Sequence, residues 1–231
     1  MCLTSIQRYT HIPFEVIVVD NGSRDNTLNR LRDGQQKYRW LHLVENEINR
    51  GFAAGMNKGI EEAKGDYIVL LNNDTLPSFH WLDNPLQLLK ELPDAGIVGP
   101  VSNRVIRQQK VKTRFRSIKE VHRFCRYYNR LNPAKWRKTS LLSGFCMIFP
   151  RKLVDSIGVL DERFGAGTYE DDDYCTRAQT AGYSCWIAGD TYLHHFGNRS
   201  FKRKGREEFR KILRQNRQYY MYKWGKRPVN G

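Results

Sequence analysis

The chain has 231 residues, 40% of them apolar and 12% aromatic, which is ample for a packed core and excludes disorder as its main state. No apolar run approaches the roughly 20 residues of a bilayer-spanning helix, and the opening MCLTSIQRYT lacks the basic start and apolar stretch of a secretory leader, so a cytoplasmic protein is expected. Lys and Arg number 39 against 24 Asp and Glu, a net +15, which points to an anionic partner: nucleic acid, anionic lipid or a phosphorylated small molecule. The five cysteines, Cys2, Cys125, Cys146, Cys175 and Cys185, are odd in number and without CxxC spacing. They are expected to be buried, reduced thiols rather than a disulfide framework or a zinc site.

From residue 14 to about 100, β-branched runs alternate with helical patterns. Phe14–Asp20 predicts a buried strand, Arg24–Gln36 a helix with Leu28 and Leu31 inward, and Trp40–Glu45 a second strand. Phe52, Ala53, Met56, Ile60 and Ala63 form a helical stripe ahead of a third strand, Tyr67–Leu71, and a helix over Phe79–Glu91 leads to Ile97–Gly99. This alternation predicts an α/β fold with a mostly parallel sheet flanked by helices, whose ligands sit at the carboxyl ends of the strands.

The second half is less regular. Residues 104–138 hold thirteen Lys and Arg against one acid, Glu120, and read as an exposed, partly helical excursion. Leu141–Pro150 predicts a strand returning to the core, Asp172–Ala181 a helix and Ser184–Ala188 another strand. A basic, aromatic tail runs from Phe201 to Arg227, helical over Gly205–Trp224. With no internal repeat and no linker, the parse is one domain over 1–231. Its halves are 1–100 and 101–200, followed by the tail at 201–231.

Polar clusters fall at the ends of the predicted strands. Asp20-Asn21-Gly22-Ser23 could accept from a base or ribose, or be a plain strand-to-helix turn. Asn49-Arg50-Gly51 opens a helix whose amides, joined by the Arg50 guanidinium, suit a diphosphate, although an ordinary helix start explains it nearly as well. Asn72-Asn73-Asp74 could place a carboxylate for a hard divalent cation, or be another turn. Four consecutive acids, Glu170-Asp171-Asp172-Asp173, either complement a helix dipole or hold a general base. His194-His195 offers either a hydrogen-bonded core imidazole or a metal ligand.

In order, FEVIVVDNGSRDNT, NRGFAAGMNKGI, GDYIVLLNNDT, LLSGFCMIFPR, DERFGAGTYEDDDYCTR and HHFGNRS resemble the successive blocks of the family 2 inverting glycosyltransferases, which have the GT-A fold. The resemblance covers roughly residues 12–200. It implies that Asp20 contacts the nucleoside base, with Asn21 beside it, and that Arg50 contacts the nucleotide. NND stands where the family has Asp-x-Asp, so Asp74 would hold Mn²⁺ or Mg²⁺, with Asn72 and Asn73 facing the donor ribose or sugar. Asp171 would be the general base, Glu170 would orient the acceptor, and His194 would complete the metal shell, with His195 the alternative if the register slips by one.

The implied donor is a UDP or dTDP sugar and the implied acceptor a glycan or lipid-linked glycan, in cell-surface polysaccharide synthesis. The basic 104–138 segment would bind an anionic acceptor or make peripheral contact with the anionic inner face of a membrane. Members usually open with a strand of the VSIIIPTYN type. This chain starts after it, so the central strand of the nucleotide half is expected to be absent. Two rivals remain: a sugar-nucleotide-binding pseudoenzyme and a basic nucleic-acid-binding protein. The second accounts for neither the acid run nor the ordered blocks, and nucleic acid is not the expected partner.

Overall fold

The computed structural model describes residues 1–197 and 205–228. Asn198, Arg199 and Ser200 of the last sequence block, and Phe201 at the start of the tail, lie outside the described residues. In chain order the elements are α1 (Cys2–Tyr9), β1 (Val16–Asn21), α2 (Thr27–Lys37), β2 (Leu41–Asn46), α3 (Phe52–Glu62) and β3 (Tyr67–Leu71). There follow β4 (Thr75–Leu76), α4 (Asp83–Glu91), β5 (Ala95–Val101), α5 (Ile118–Tyr128), β6 (Trp136–Thr139) and β7 (Cys146–Pro150). The chain then forms α6 (Arg151–Ile157), α7 (Glu170–Thr180), β8 (Ser184–Tyr192), β9 (His194–His195) and α8 (Arg206–Trp224).

The central sheet has the order β3-β7-β5-β8-β6 and is mixed rather than mostly parallel. β5 and β8 run parallel, whereas β7 is antiparallel to both β3 and β5, and β6 is antiparallel to β8. The departure arises in the second half, where β7 enters after the basic excursion instead of through a right-handed crossover. Alternate residues of its strands enter opposite cores, as a period of two requires. Ile97, Met147 and Phe149 join Leu142 and Tyr174 on one face, while Val98 and Ile148 join Trp81 and Leu88 on the other.

The basic excursion is more ordered than its charge suggests. Ser117 caps α5 by accepting from the Glu120 N–H, and the Glu120 carboxylate reaches back to the Arg116 N–H at 2.8 Å. That arrangement, a capping box displaced by one residue at its return bond, is the role of the segment's one acid. Val121 and Cys125 bury the inner face of α5, and the segment ends as the edge strand β6, which residue pattern alone did not reveal. The cysteines are free thiols, four of them buried.

Strands β1 and β2 form a separate parallel pair. Among the described residues β1 pairs only with β2, and β3 only with β7. The start of β1 is nonetheless tied to the start of β3, because the Glu15 carboxylate accepts from the N–H groups of Lys64 and Gly65. Each strand therefore has one edge that a further strand could pair. Fusing a VSIIIPTYN-type strand ahead of α1 is expected to raise the melting temperature by several degrees, roughly 2–4 °C per kcal/mol gained. An unchanged melting curve would mean that these edges accept no such strand.

Candidate active site

The donor-side residues lie at the carboxyl end of β1. Asp20 is buried, and its Oδ2 accepts from the Ser23 N–H at 3.0 Å, which fixes the turn into α2. Asn21 is committed to the protein. Its Nδ2 donates to the Gly51 carbonyl at 2.8 Å and to Asn49, while its Oδ1 accepts from the Arg50 N–H at 3.1 Å and from Asn46. It therefore acts as a cross-tie for the 46–51 loop rather than as a group open to a nucleotide.

The start of α3 also differs from the expected amide cradle. The Gly51 N–H donates to Asn49 Oδ1, and the Phe52 N–H donates to the Gly165 carbonyl at 3.1 Å. A Cβ on Gly51, whose φ is +96°, would overlap that same carbonyl. What this helix start offers an anion is the exposed Arg50 side chain.

Asn72, Asn73 and Asp74 form the turn between β3 and β4, with the Asn72 backbone held by the Phe145 carbonyl and by the Thr75 hydroxyl. Asn73 is exposed and Asn72 half-buried. Strand β4 pairs with β9 in the register Thr75↔His195 and Leu76↔His194, and this pairing decides between the two histidines. His195 Nε2 stands 3.0 Å from Asp74 Oδ1. His194 is turned away, bonded through Nδ1 to the Tyr192 hydroxyl at 3.1 Å and edge-on to Phe115 and Phe196. Burial, with the charges of His195 and Arg104, brings His194 down to about 4. The structure thus joins Asp74 to His195, the alternative in the sequence, and not to His194.

The chemistry of the Asp74–His195 pair suits a cation. His195 Nδ1 lies 2.9 Å from the Arg104 carbonyl, which can only accept, so Nδ1 carries a hydrogen. On a neutral ring Nε2 then presents a lone pair to a carboxylate, and something positive, a proton or a metal ion, must lie between them. Burial pushes the Asp74 carboxyl up, but the hydrogen bond and charge of His195 outweigh it and leave the group below the usual carboxylate range. Among the described residues no group of three or more His, Cys, Asp or Glu is arranged to hold a metal ion. A divalent ion here would complete its shell with phosphate oxygens and water.

The run of four acids divides by environment. Asp173 is fully buried and structural, bonded by Arg177 at 2.9 Å, Lys223 at 2.6 Å and Trp224 at 2.9 Å. Asp171 accepts from the Gly144 N–H at 2.8 Å through Oδ2 and from the Asp172 N–H at 3.0 Å through Oδ1. Burial raises its carboxyl, opposed by those two amides. Burial likewise raises Glu170 and Asp172, and the neighbouring Asp171 charge raises them further. One oxygen of each, Glu170 Oε2 and Asp172 Oδ1, is buried without a protein partner. The cluster thus favours one ionised carboxylate, Asp171, beside two that retain their protons more readily.

The segment just before β7 brings these ends together. Gly144 binds Asp171, while the next residue, Phe145, stacks its ring on His195 at 5.2 Å and gives its carbonyl to the Asn72 N–H at 2.9 Å. A Cβ on Gly144 would sit 3.3 Å from the Asp171 Cβ, so a side chain would crowd the carboxylate. In the sequence the signal for either residue is a glycine inside an otherwise apolar strand pattern. Ahead of the acids, Thr168 and Tyr169 have φ of +80° and +69°. Such a course costs non-glycine residues about 1–3 kcal/mol each and persists only where the surroundings impose it.

The family model "Glycosyl transferase family 2" matches residues 1–158, and the chain belongs to that family. Its fold is GT-A. A mannosyltransferase from Pyrobaculum calidifontis, PcManGT, solved in complex with GDP-Man and Mn²⁺, superposes with a TM-score of 0.68 at 24% identity, covering 98% of this chain and 60% of that one. TarS 1–349 of S. aureus in complex with UDP-GlcNAc gives a TM-score of 0.60 at 17% identity, over 95% of this chain and 62% of that one. A chondroitin synthase of Pasteurella multocida is 30% identical over 95 residues, which are 41% of this chain and 10% of that protein.

A carboxyl raised on folding binds its proton more tightly in the folded state, so its contribution is present below its unfolded value and is lost as pH rises through the folded one. Glu170→Gln keeps the shape without the charge. Its melting temperature is expected to gain on wild type as pH rises from about 4.5 to about 8, by on the order of 2–4 °C. Parallel curves would show that Glu170 does not carry the burial penalty.

Proposed function

We propose that this domain transfers a sugar, with inversion, from a nucleotide diphosphate sugar to an acceptor hydroxyl, with a divalent cation held by Asp74 and His195. The observation that carries it is the placement of the Asp74–His195 pair and Asp171 on either side of Gly144-Phe145. When bound, Mn²⁺ or Mg²⁺ would supply Lewis-acid neutralisation of the departing diphosphate. The Mn²⁺ with GDP-Man in PcManGT and the UDP-GlcNAc in TarS support this donor class. For this chain UDP or dTDP is proposed as the nucleotide.

In this reading Asp20 and the exposed Arg50 contact the nucleotide, and Asn72 and Asn73 face the ribose or sugar. Asp171 takes the acceptor proton as the new carbon–oxygen bond forms and the bond to the diphosphate breaks on the opposite face. Glu170, buried and inclined to keep its proton, can donate from Oε2 to the acceptor and orient it. The acceptor is proposed to be an anionic glycan, lipid-linked or soluble, of the cell-surface kind. A groove lined by Phe115, Glu120, Arg123, Phe124, Tyr127, Tyr128 and Lys135 supports that choice, since aromatic faces suit sugar rings and the two cations suit an anionic group, the one acid being engaged by the Arg116 N–H. No described helix is long and apolar enough to cross a membrane. A cytoplasmic site with peripheral contact through the basic segment is part of the same proposal.

Calorimetry with UDP and dTDP tests the donor half. Mn²⁺ is expected to tighten binding to the wild type and to His194→Ala, but to have no effect on Asp74→Ala or His195→Ala. Metal-indifferent binding to the wild type would remove the pair from the site.

Asp171→Asn is expected to lower transfer by about 10²–10⁴-fold while sparing donor binding, because it removes a proton acceptor and nearly preserves shape. Nucleotide diphosphate release with a panel of sugar nucleotides measures this. Near-normal turnover would refute the base assignment, and a wild type that binds but never turns over would favour the pseudoenzyme.

A further inference from the structure

One face of α8 is devoted to the loop that presents Asp171. Asn216, Tyr219, Tyr220, Lys223 and Trp224 recur at helical spacing, so they share a single stripe, and each meets the 161–176 region. Lys223 joins Asp161, at the start of the loop, to Asp173, beyond its end, at 2.7 and 2.6 Å. The Tyr219 hydroxyl donates to Asp161 at 3.0 Å, the Tyr220 hydroxyl bonds that of Thr176 at 2.7 Å, and the Trp224 indole donates to Asp173.

Asn216 lies at the centre of this stripe. Its buried amide nitrogen faces the carbonyls of Phe164, Gly167 and Thr168 at 2.8, 2.9 and 3.1 Å, and the Thr168 hydroxyl at 3.2 Å. Those carbonyls belong to the stretch that runs left-handed at Gly165, Gly167, Thr168 and Tyr169, immediately before Glu170 and Asp171. The amide supplies two donors on a short stem, which these acceptors share. The opposite side of the loop rests on the donor half, where the Gly165 carbonyl takes the Phe52 N–H next to Arg50 and Gly51.

We propose that Asn216 is a positioning residue for the transfer reaction. By drawing three loop carbonyls onto α8 it imposes the left-handed conformations at Gly165, Gly167, Thr168 and Tyr169, and so sets where Asp171 stands relative to the loop at Arg50. Loss of the amide leaves the loop free to relax toward ordinary backbone angles, which displaces the base by an amount that matters to catalysis but not to nucleotide binding. This inference rests on the reading of Asp171 as the base.

The test compares wild type with Asn216→Ala, Asn216→Ser and Tyr222→Ala, the last an exposed position on the same helix. A panel of UDP-, dTDP- and GDP-sugars with Mn²⁺ identifies the donor that the wild type turns over fastest. With it, Asn216→Ala is expected to lose about 10- to 100-fold in kcat while its donor KM stays within about threefold. Asn216→Ser, which keeps one donor, should recover part of the loss, and Tyr222→Ala should match wild type. Hydrogen exchange should show lost protection at residues 164–172 in the Ala variant. An unchanged kcat, or losses in which kcat and KM move together, would overturn the positioning role, and the Ser variant carries the same comparison should the Ala variant fail to fold. Asp171→Asn assayed in parallel separates the two readings. If that variant stays active, the base assignment falls and the positioning role with it, whereas the exchange pattern reports on the clamp independently.

Discussion

Two consecutive residues, Gly144 and Phe145, tie the candidate metal end of this molecule to the candidate base. They sit where the chain turns from the basic excursion into β7, the strand that joins β3 to β5 in the middle of the sheet. Backbone N–H, aromatic ring and backbone carbonyl each face a different element: α7, β9 and the turn after β3. Because β7 is buried and paired on both sides, this junction has little freedom, and the separation of Asp74 from Asp171 is inherited from the sheet. A site built this way depends on core packing more than on loop contacts.

Electrostatics supply the second constraint. The protein is strongly basic, yet it buries acids at its centre, and each is managed differently. Asp173 is neutralised by Arg177 and Lys223. Asp171 is held by backbone amides, while Glu170 and Asp172 are pushed toward their neutral forms by burial and by Asp171 itself. Asp74 faces the His195 imidazole at 3.0 Å. The same residue type thus appears in an ion pair, on backbone amides and against an imidazole in one small domain, separated only by what surrounds each carboxyl.

The excess positive charge lies elsewhere. Arg114, Arg116, Arg123 and Arg126 are exposed on or beside α5. They leave a basic, aromatic face beside the Phe115–His194 contact.

Much of the donor half was legible from residue type and period. Tyr67–Leu71 is a strand with the predicted bounds, and the helical stripe from Phe52 to Ile60 is α3, because β-branched runs and 3.6-residue periodicity act locally. The polar turns at the strand ends were legible for the same reason. What lay beyond the sequence depends on pairing between distant segments. Adjacent residues on a strand face opposite ways, so only the register of β9 on β4 selects His195 over His194. Asn21 looked like a ligand because a turn amide and a ligand amide are the same group until its partners, here residues 46, 49, 50 and 51, are in place. Antiparallel β7 and edge strand β6 arise from packing after a long excursion. The places of Gly144, Phe145 and Asn216 exist only as contacts between distant parts of the chain, 27 residues apart for Gly144 and Asp171 and 52 for Asn216 and Phe164. The sequence by itself determined the residue types and the local elements, and the tertiary structure alone decided which atoms meet, since chain separation carries no information about distance once the sheet has closed.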